Sequence, residues 1–413
     1  MTFRTHSLLI ALVGVLLVGP AAYAQEMPIP ENVTSASRPE ADAVGLPLGG
    51  FRAYPKLLVL GGYDSNILAS DSNTIEAGRT TILPSLLIQS QWAQHSLSFA
   101  TFLKSRLYPG ESKEDYLDWG FGSKGHLDIR ESTNLGGSIN YQRLTEDRSG
   151  IAALPAAQAP DPSNYGQFDV NAVFNHTFDQ LTGSAAVSYT KLSYRSDDNS
   201  FRDRGLVRGS AQLGYAFSPG YSAFVRGEIN DRDYEHRITT TAGNSVYQNS
   251  LGYRIVGGIS SQLTDLIAGE VNIGYMAQNY DASDFKDVSN VTFGANLTWF
   301  ATRLTTVTLK AGRDVVDATS GGAGAIVFTT AGFGIEHDLT DDIELGVDFE
   351  YYNGDYEGES REDDGFRVSP GFTYIINRFV HLDVRYRFDN RDSNEAGQDF
   401  DRHQIDIGFE FQI

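Results

Sequence analysis

Val380-His381-Leu382-Asp383-Val384-Arg385-Tyr386-Arg387-Phe388-Asp389 alternates apolar and charged residues along its whole length. The last segment of the chain repeats the pattern, with Ile405, Ile407, Phe409, Phe411 and Ile413 set between Gln404, Asp406, Gly408, Glu410 and Gln412. Successive side chains of a strand point to opposite faces. This closing hairpin therefore has one greasy, aromatic face and one charged face. A soluble sheet could bury the greasy face, so the hairpin alone decides nothing; its repetition does.

The same alternation recurs back to Tyr54. Leu97, Phe99, Thr101 and Leu103 interleave with Ser98, Ala100, Phe102 and Lys104, and Ala223, Val225, Gly227 and Ile229 with Phe224, Arg226, Glu228 and Asn230. Ile267 to Tyr275 and Ile343 to Tyr351 read the same way. Each segment runs ~10 to 15 residues, long enough for a tilted membrane strand and longer than the ~5 to 6 of globular sheets. Short turns are expected at 93–94, 129–132, 179–180, 218–220, 264–265, 302–303, 340–341 and 377–378. Longer polar loops fall between them at 66–78, 109–113, 149–163, 195–202, 236–244, 281–287, 318–324, 356–363 and 392–399. Short turns on one rim and long loops on the other are the signature of a bacterial outer-membrane barrel. The pattern predicts an all-β, antiparallel up-and-down transmembrane barrel of about 18 strands, with both termini periplasmic. A large β-sandwich is the competing architecture, and the strand lengths argue against it.

Composition agrees. The 413-residue chain holds 42 glycines, 24 phenylalanines and 21 tyrosines against 3 methionines, and no cysteine, which excludes disulfides and thiolate chemistry. A formal net charge of -21 argues against nucleic acid as a partner, because phosphates would be repelled. Arg4 and His6 precede the apolar run 8–18, and Ala22-Tyr23-Ala24 has the small residues of a signal-peptidase site. Residues 1–24 are expected to be a cleaved signal peptide, 25–53 a flexible periplasmic segment and 54–413 the barrel. No later stretch is apolar enough for a membrane helix, so a membrane-resident mature chain must be a closed barrel.

Placing the apolar set against lipid turns the other set inward. The expected lumen lining is Lys104, Arg106, Arg208, Arg226, Glu228, Arg254, Glu270, Lys310, Glu344, Asp348, Glu350, Arg367, Asp383, Arg385, Arg387, Asp406 and Glu410. Mixed signs allow a lattice of ion pairs that stiffens the wall, or a path that guides a solute. Two aromatic belts are expected: Trp92, Phe217, Tyr221, Trp299 and Phe300 beside short turns, and Tyr108, Tyr194, Tyr234, Tyr280 and Phe388 towards the loops. Pro84 and Pro370 fall inside strands and should each break the ladder locally, whereas Pro55 sits at a strand start. The acidic groups Asp197, Asp281, Asp284, Glu357, Asp363, Asp389 and Asp399 read as solvated outer loop. No EF-hand spacing supports a metal site, no H-E-x-x-H or G-x-S-x-G context supports an enzyme, and no cofactor is expected. His381 beside Asp383 is the single pair that catalysis would draw on.

The segment Phe51-Arg52-Ala53-Tyr54-Pro55-Lys56-Leu57, followed by Gly62-Tyr63-Asp64-Ser65-Asn66-Ile67, resembles the opening signature of an outer-membrane β-barrel porin family. Its marks here are Arg52, Pro55, Tyr63, Asp64 and Asn66. The resemblance implies a passive conduit for exopolysaccharide or capsule, working with a periplasmic export protein; a diffusion porin for small solutes is the alternative, and a membrane hydrolase the third. Further expected partners are outer-membrane lipid, lipopolysaccharide and the barrel-assembly machinery, which would read Phe409, Phe411 and the unusual last residue Ile413.

Overall fold

A computed structural model describes residues 41–155, 158–261, 266–319 and 322–413, with the Asp198 side chain left aside. The expected signal peptide, most of the expected lead-in and the turn at 264–265 lie outside the described residues. Among the described residues, eighteen long strands form one antiparallel meander. They are β1 (Phe51–Asp64), β2 (Ala77–Ser90), β3 (Ser96–Leu107), β4 (Tyr116–Arg130), β5 (Thr133–Thr145) and β6 (Asn164–Phe178). Then follow β7 (Leu181–Tyr194), β8 (Arg204–Ser218), β9 (Tyr221–Tyr234), β10 (Ser250–Ser261), β11 (Ile267–Tyr280) and β12 (Val288–Thr302). The wall ends with β13 (Thr305–Asp317), β14 (Ala325–Thr340), β15 (Ile343–Glu357), β16 (Glu362–Asn377), β17 (Val380–Ser393) and β18 (Phe400–Gln412). β18 pairs with β1 from Lys56↔Gln412 to Asp64↔Gln404, which closes the sheet into a barrel and leaves no open edge.

The first strand starts at Phe51, three residues before the expected boundary, because Leu46–Leu48 folds back and pairs with Phe51 to Ala53. Gly45 N–H donates to the Ile413 carbonyl at 3.1 Å, and Gln412 Nε2 donates to the Ala41 carbonyl at 2.8 Å. Both ends of the barrel thus meet on the short-turn rim.

Two of the three prolines leave their expected mark. The β2–β3 ladder stops at Ile82↔Ser105 and resumes at Ser85↔Phe102, skipping Pro84. The β16–β17 ladder skips from Val368↔Phe388 to Gly371↔Arg385, around Pro370. Pro55 does not open its strand as expected, because the strand begins four residues earlier at Phe51; it lies one residue before the seam pairing starts at Lys56↔Gln412, where the ladder with β18 needs no N–H from it. A missing N–H costs nothing at such a position.

Exposure follows the alternation. On β9 Phe224, Arg226, Glu228, Arg232 and Tyr234 are buried, while Val225 and Ile229 are exposed; Leu213 on β8 is 72% exposed. So much apolar surface on the outer face has no place in water and is stable against acyl chains. The belts need two corrections. Trp92, Phe217, Tyr221 and Trp299 are exposed beside the short turns, but Phe300 is buried because it shares the inward parity of its strand. Tyr108, Tyr234 and Tyr280 are buried too, beneath loops that fold inward; Tyr63, Tyr189, Tyr253, Tyr351 and Tyr386 are among the exposed tyrosines of the outer face.

Candidate constriction site

The opening signature builds the seam. Asp64, the last residue of β1, is fully buried and accepts from Arg79 Nη1 at 3.0 Å, Arg402 Nη2 at 2.8 Å and Gln404 Nε2 at 2.6 Å. Arg79 on β2 also reaches Asp406 on β18, at 2.9 Å from Nε and 2.5 Å from Nη2. To do so it passes over Gly62, where an added Cβ would lie 2.3 Å from Asp406 Oδ1. Only glycine leaves that passage open. Asn66 is buried, its Nδ2 donating to the Ser70 and Asp401 carbonyls at 2.8 and 3.1 Å, which pins the first loop to β18. Tyr63 lies on the outer face and bonds Glu76 at 2.5 Å, while Arg52 Nη1 holds the Val44 carbonyl at 2.6 Å.

Loop 146–163, between β5 and β6, crosses to the far wall as a strap. Asp147 accepts from Arg402 Nη1 of β18 at 3.0 Å. Arg391 Nη2 of β17 donates to the Ser149 and Gly150 carbonyls, each at 2.9 Å. Tyr356 of β15 donates to the Ile151 carbonyl at 2.8 Å, and the Ile151 side chain stops 3.0 Å from where Gly354 would carry a Cβ. Two arginines brace the strap from its own side: Arg148 pairs with Glu114 at 2.7 Å and Arg202 with Glu146 at 2.6 Å. β5 and β15 stand nearly opposite each other in an eighteen-strand ring, so the strap spans the mouth. Beside it, Ile238, Tyr280, Phe285 and Val327 gather in a small apolar core made by inward-folded loops. Gln248 Nε2 and the Tyr280 hydroxyl both donate to the Gly324 carbonyl there, at 2.6 and 2.8 Å.

Asp147 is the electrostatic centre of the strap. Besides Arg402, Arg387, Arg367, Arg106 and Lys104 of the surrounding strands stand within electrostatic reach of its carboxylate. Burial by itself would raise its pKa; the Arg402 and Arg387 guanidinium groups, with the N–H and hydroxyl of Ser149, overrule that and hold it well below the usual carboxylate range. Half of its side chain still faces open space in the mouth.

The residues expected to line the lumen share one face and are mostly paired. Lys104 lies 3.7 Å from Asp118, and Arg106 donates to Thr81 Oγ1 at 3.1 Å. Arg208 meets Glu228 at 3.1 Å, and Arg226 meets Glu270 at 2.9 Å. Arg254 pairs with Asp314, and Arg367 with both Asp389 and Glu350. Arg387 approaches Asp389 at 2.7 Å, Arg385 approaches Asp383 at 3.6 Å, and Lys56 holds Glu410 at 2.9 Å. Glu344 stands across from Asp338 in the ladder. Asp348 lies between Lys310 and Arg385, and Lys310 makes no hydrogen bond or ion pair among the described residues.

Asp363 and Asp389 are not solvated loop groups. Asp363 is fully buried under Arg361 at 2.6 Å and Ser393 Oγ at 2.6 Å, and Asp389 is buried between Arg367 and Arg387. Both have inward parity at strand ends, where sequence shows only an acidic run. Arg79, Arg391, Arg402 and Asp147 were missed for the same reason: they lie at loop boundaries, and only the alternation of β18 carried back to Arg402 hinted at one of them.

His381 and Asp383 do not form a dyad. His381 is buried with its Nε2 3.5 Å from Gln412 Nε2, and Asp383 accepts from Thr373 Oγ1 at 2.9 Å. Asp203, Glu235 and His236 gather at the loop rim with ligand atoms within 4.8 Å of one another, but Lys191 already neutralises Glu235 at 2.7 Å.

A closed barrel with an apolar outer face, a charged inner face and a strap across one mouth is the architecture of an outer-membrane channel. The chain belongs to the family described as "Putative beta-barrel porin 2", which it matches over residues 38–413. It is a porin-family protein of the outer membrane and not an enzyme. No curated protein matches it in sequence. Among solved structures it is similar to OpdL of Pseudomonas aeruginosa, at 13% identity and a TM-score of 0.45, covering 89% of this chain and 100% of that one. It is also similar to OccAB3 of Acinetobacter baumannii, at 10% identity and a TM-score of 0.46, covering 87% and 99%. The siderophore receptor PirA of A. baumannii aligns at 6% identity and a TM-score of 0.46, covering 87% and 80%.

Proposed function

We propose that this protein is a passive channel for small hydrophilic solutes, with both termini in the periplasm and the loops outside the cell. The strap carries the reading. A segment fastened to the opposite wall by Asp147, Ser149, Gly150 and Ile151 narrows the mouth, and its charged surroundings favour hydrated solutes. The seventeen inward residues named from the sequence line that path, and their ion pairs keep it rigid.

Uptake by liposomes containing the purified protein tests this. Monosaccharides and small organic acids should enter quickly, and entry should fall steeply for oligosaccharides of three or more units. Equal rates for all sizes would refute a strap-limited channel.

The second reading, a conduit for exopolysaccharide with a periplasmic export partner, rests on the family resemblance and requires the strap to swing aside. Cysteines at Ile151 and Gly354 separate the two, since the chain has no cysteine of its own. Small-solute uptake that persists under oxidation supports the first reading. Surface polysaccharide that falls on deletion, or on locking the strap, supports the second. Phe409 and Phe411 point outward on β18, where the barrel-assembly machinery could read them, and Ile413 follows them. Adding residues after Ile413 is expected to slow insertion, read as less heat-modifiable barrel. Lipopolysaccharide would surround the exposed loop-side tyrosines.

A further inference from the structure

The acids on the inner wall near the strap are already committed. Asp64 serves Arg79 and Arg402, Asp406 serves Arg79, and Asp389 lies between Arg367 and Arg387. The cations are less fully used. Arg387 Nε lies 2.7 Å from Asp389 Oδ2 without the alignment of a hydrogen bond, and both atoms are buried. Arg391 Nε likewise has no hydrogen-bond partner, although its Nη2 holds the strap. Deeper in the lumen Arg385 is 45% exposed with only a 3.6 Å approach to Asp383, and Lys310 is exposed. Asp348, between these two cations, and Glu350 are exposed acids of the same wall, so it is beside the strap, at the Arg387 and Arg391 donors, that the unspent capacity is cationic.

Into this cationic pocket the strap inserts one carboxylate. Asp147 bonds Arg402 at 3.0 Å, feels Arg387, Arg367, Arg106 and Lys104, and keeps half its side chain exposed. Guanidinium groups bind carboxylates by charge-assisted, often bidentate hydrogen bonds. A pocket that holds one carboxylate so firmly is built for another.

We propose that the cations around Asp147 form a binding site for the carboxylate of a passing solute, and that Asp147 is its tethered occupant, displaced when the solute arrives. Arg385 and Lys310 continue the path below it. The proposal rests on the channel reading and names its substrate class: carboxylate-bearing hydrophilic molecules, either free small acids or the uronate units of a glycan. Displacement leaves the wall intact, because Arg402 keeps Asp64 as a partner when Asp147 leaves.

Planar-bilayer recordings of the full-length protein test it, with wild type, Asp147→Asn and Arg387→Gln each first shown to form a heat-modifiable barrel. Glucuronate, a trimeric galacturonate and neutral glucose are titrated against the potassium chloride current. Glucuronate is expected to block and glucose not to. The half-blocking concentration should fall several-fold in D147N, where the resident carboxylate is neutralised, and rise several-fold in R387Q. The zero-current potential of D147N in a salt gradient should shift towards chloride. Tighter block by the trimer assigns the site to uronate glycans, and equal block assigns it to small acids. Block by glucose as strong as by glucuronate, or a half-blocking concentration that neither substitution moves, overturns the proposal while leaving the channel standing. No current from a folded wild-type barrel overturns the channel reading, and the proposal with it.

Discussion

Replacing Asp64 with asparagine removes the negative charge shared by two guanidinium groups that are themselves almost fully buried. Removing one partner of a buried ion pair leaves an uncompensated charge in a poorly solvated site and costs about 3–5 kcal/mol. Here the cost is moderated at both ends. Arg79 retains Asp406 at 2.5 Å, and Arg402 retains Asp147 at 3.0 Å. The asparagine amide would also turn a donor towards Gln404 Nε2 or a guanidinium, unless its oxygen takes over the 2.6 Å bond. The low end of the range applies, a loss of about 3 kcal/mol, or roughly a hundredfold in the folding equilibrium. Urea titration of folding into lipid vesicles, read by the heat-modifiable band, measures it. Arg402→Gln and the double variant complete a cycle, whose coupling should lie at about 1–3 kcal/mol, as for residues in one ion-pair network. A D64N barrel within about 0.5 kcal/mol of wild type, the range of an ordinary surface change, would refute the view that this carboxylate locks the seam.

Gly62→Ala should yield little folded barrel, because its Cβ would meet Asp406 Oδ1 at 2.3 Å and the Ile405 carbonyl at 2.4 Å, whereas Gly346→Ala, with open space around it, should fold like wild type; comparing their heat-modifiable yields checks both. Tyr356→Phe removes the hydroxyl that holds the Ile151 carbonyl and should loosen the strap by about 1 kcal/mol, seen as roughly fivefold faster hydrogen exchange at its backbone. Because the Asp147 carboxyl is held well below its unfolded value of about 3.9, its contribution to seating the strap is complete above that pH and is lost only as pH falls through the lower folded value. Strap-dependent block and conductance are therefore expected to stay constant from about pH 5 to 8, and a transition centred within that window would contradict the assignment.

Much of the architecture was legible in the residues alone. Alternation over segments such as Val380 to Asp389 is a local, period-two property, so it assigns each side chain to the wall's inner or outer face without knowledge of any partner. Turn and loop lengths then ordered the strands and brought the last beside the first. Tertiary structure decided what local periodicity cannot carry. Asp147 and Arg402 are 255 positions apart, and Arg391 and Ser149 are 242 apart, so no pattern within a strand could bring them together. Near the loop rim alternation gives way to polar runs, and Asp363 and Asp389 looked there like their solvated neighbours. Only closure of the ring, which sets β5 nearly opposite β15 and lets the loop between β5 and β6 reach the far wall, gathered these inward residues into a constriction. An open sheet of the same strands would have had the faces but not the pore.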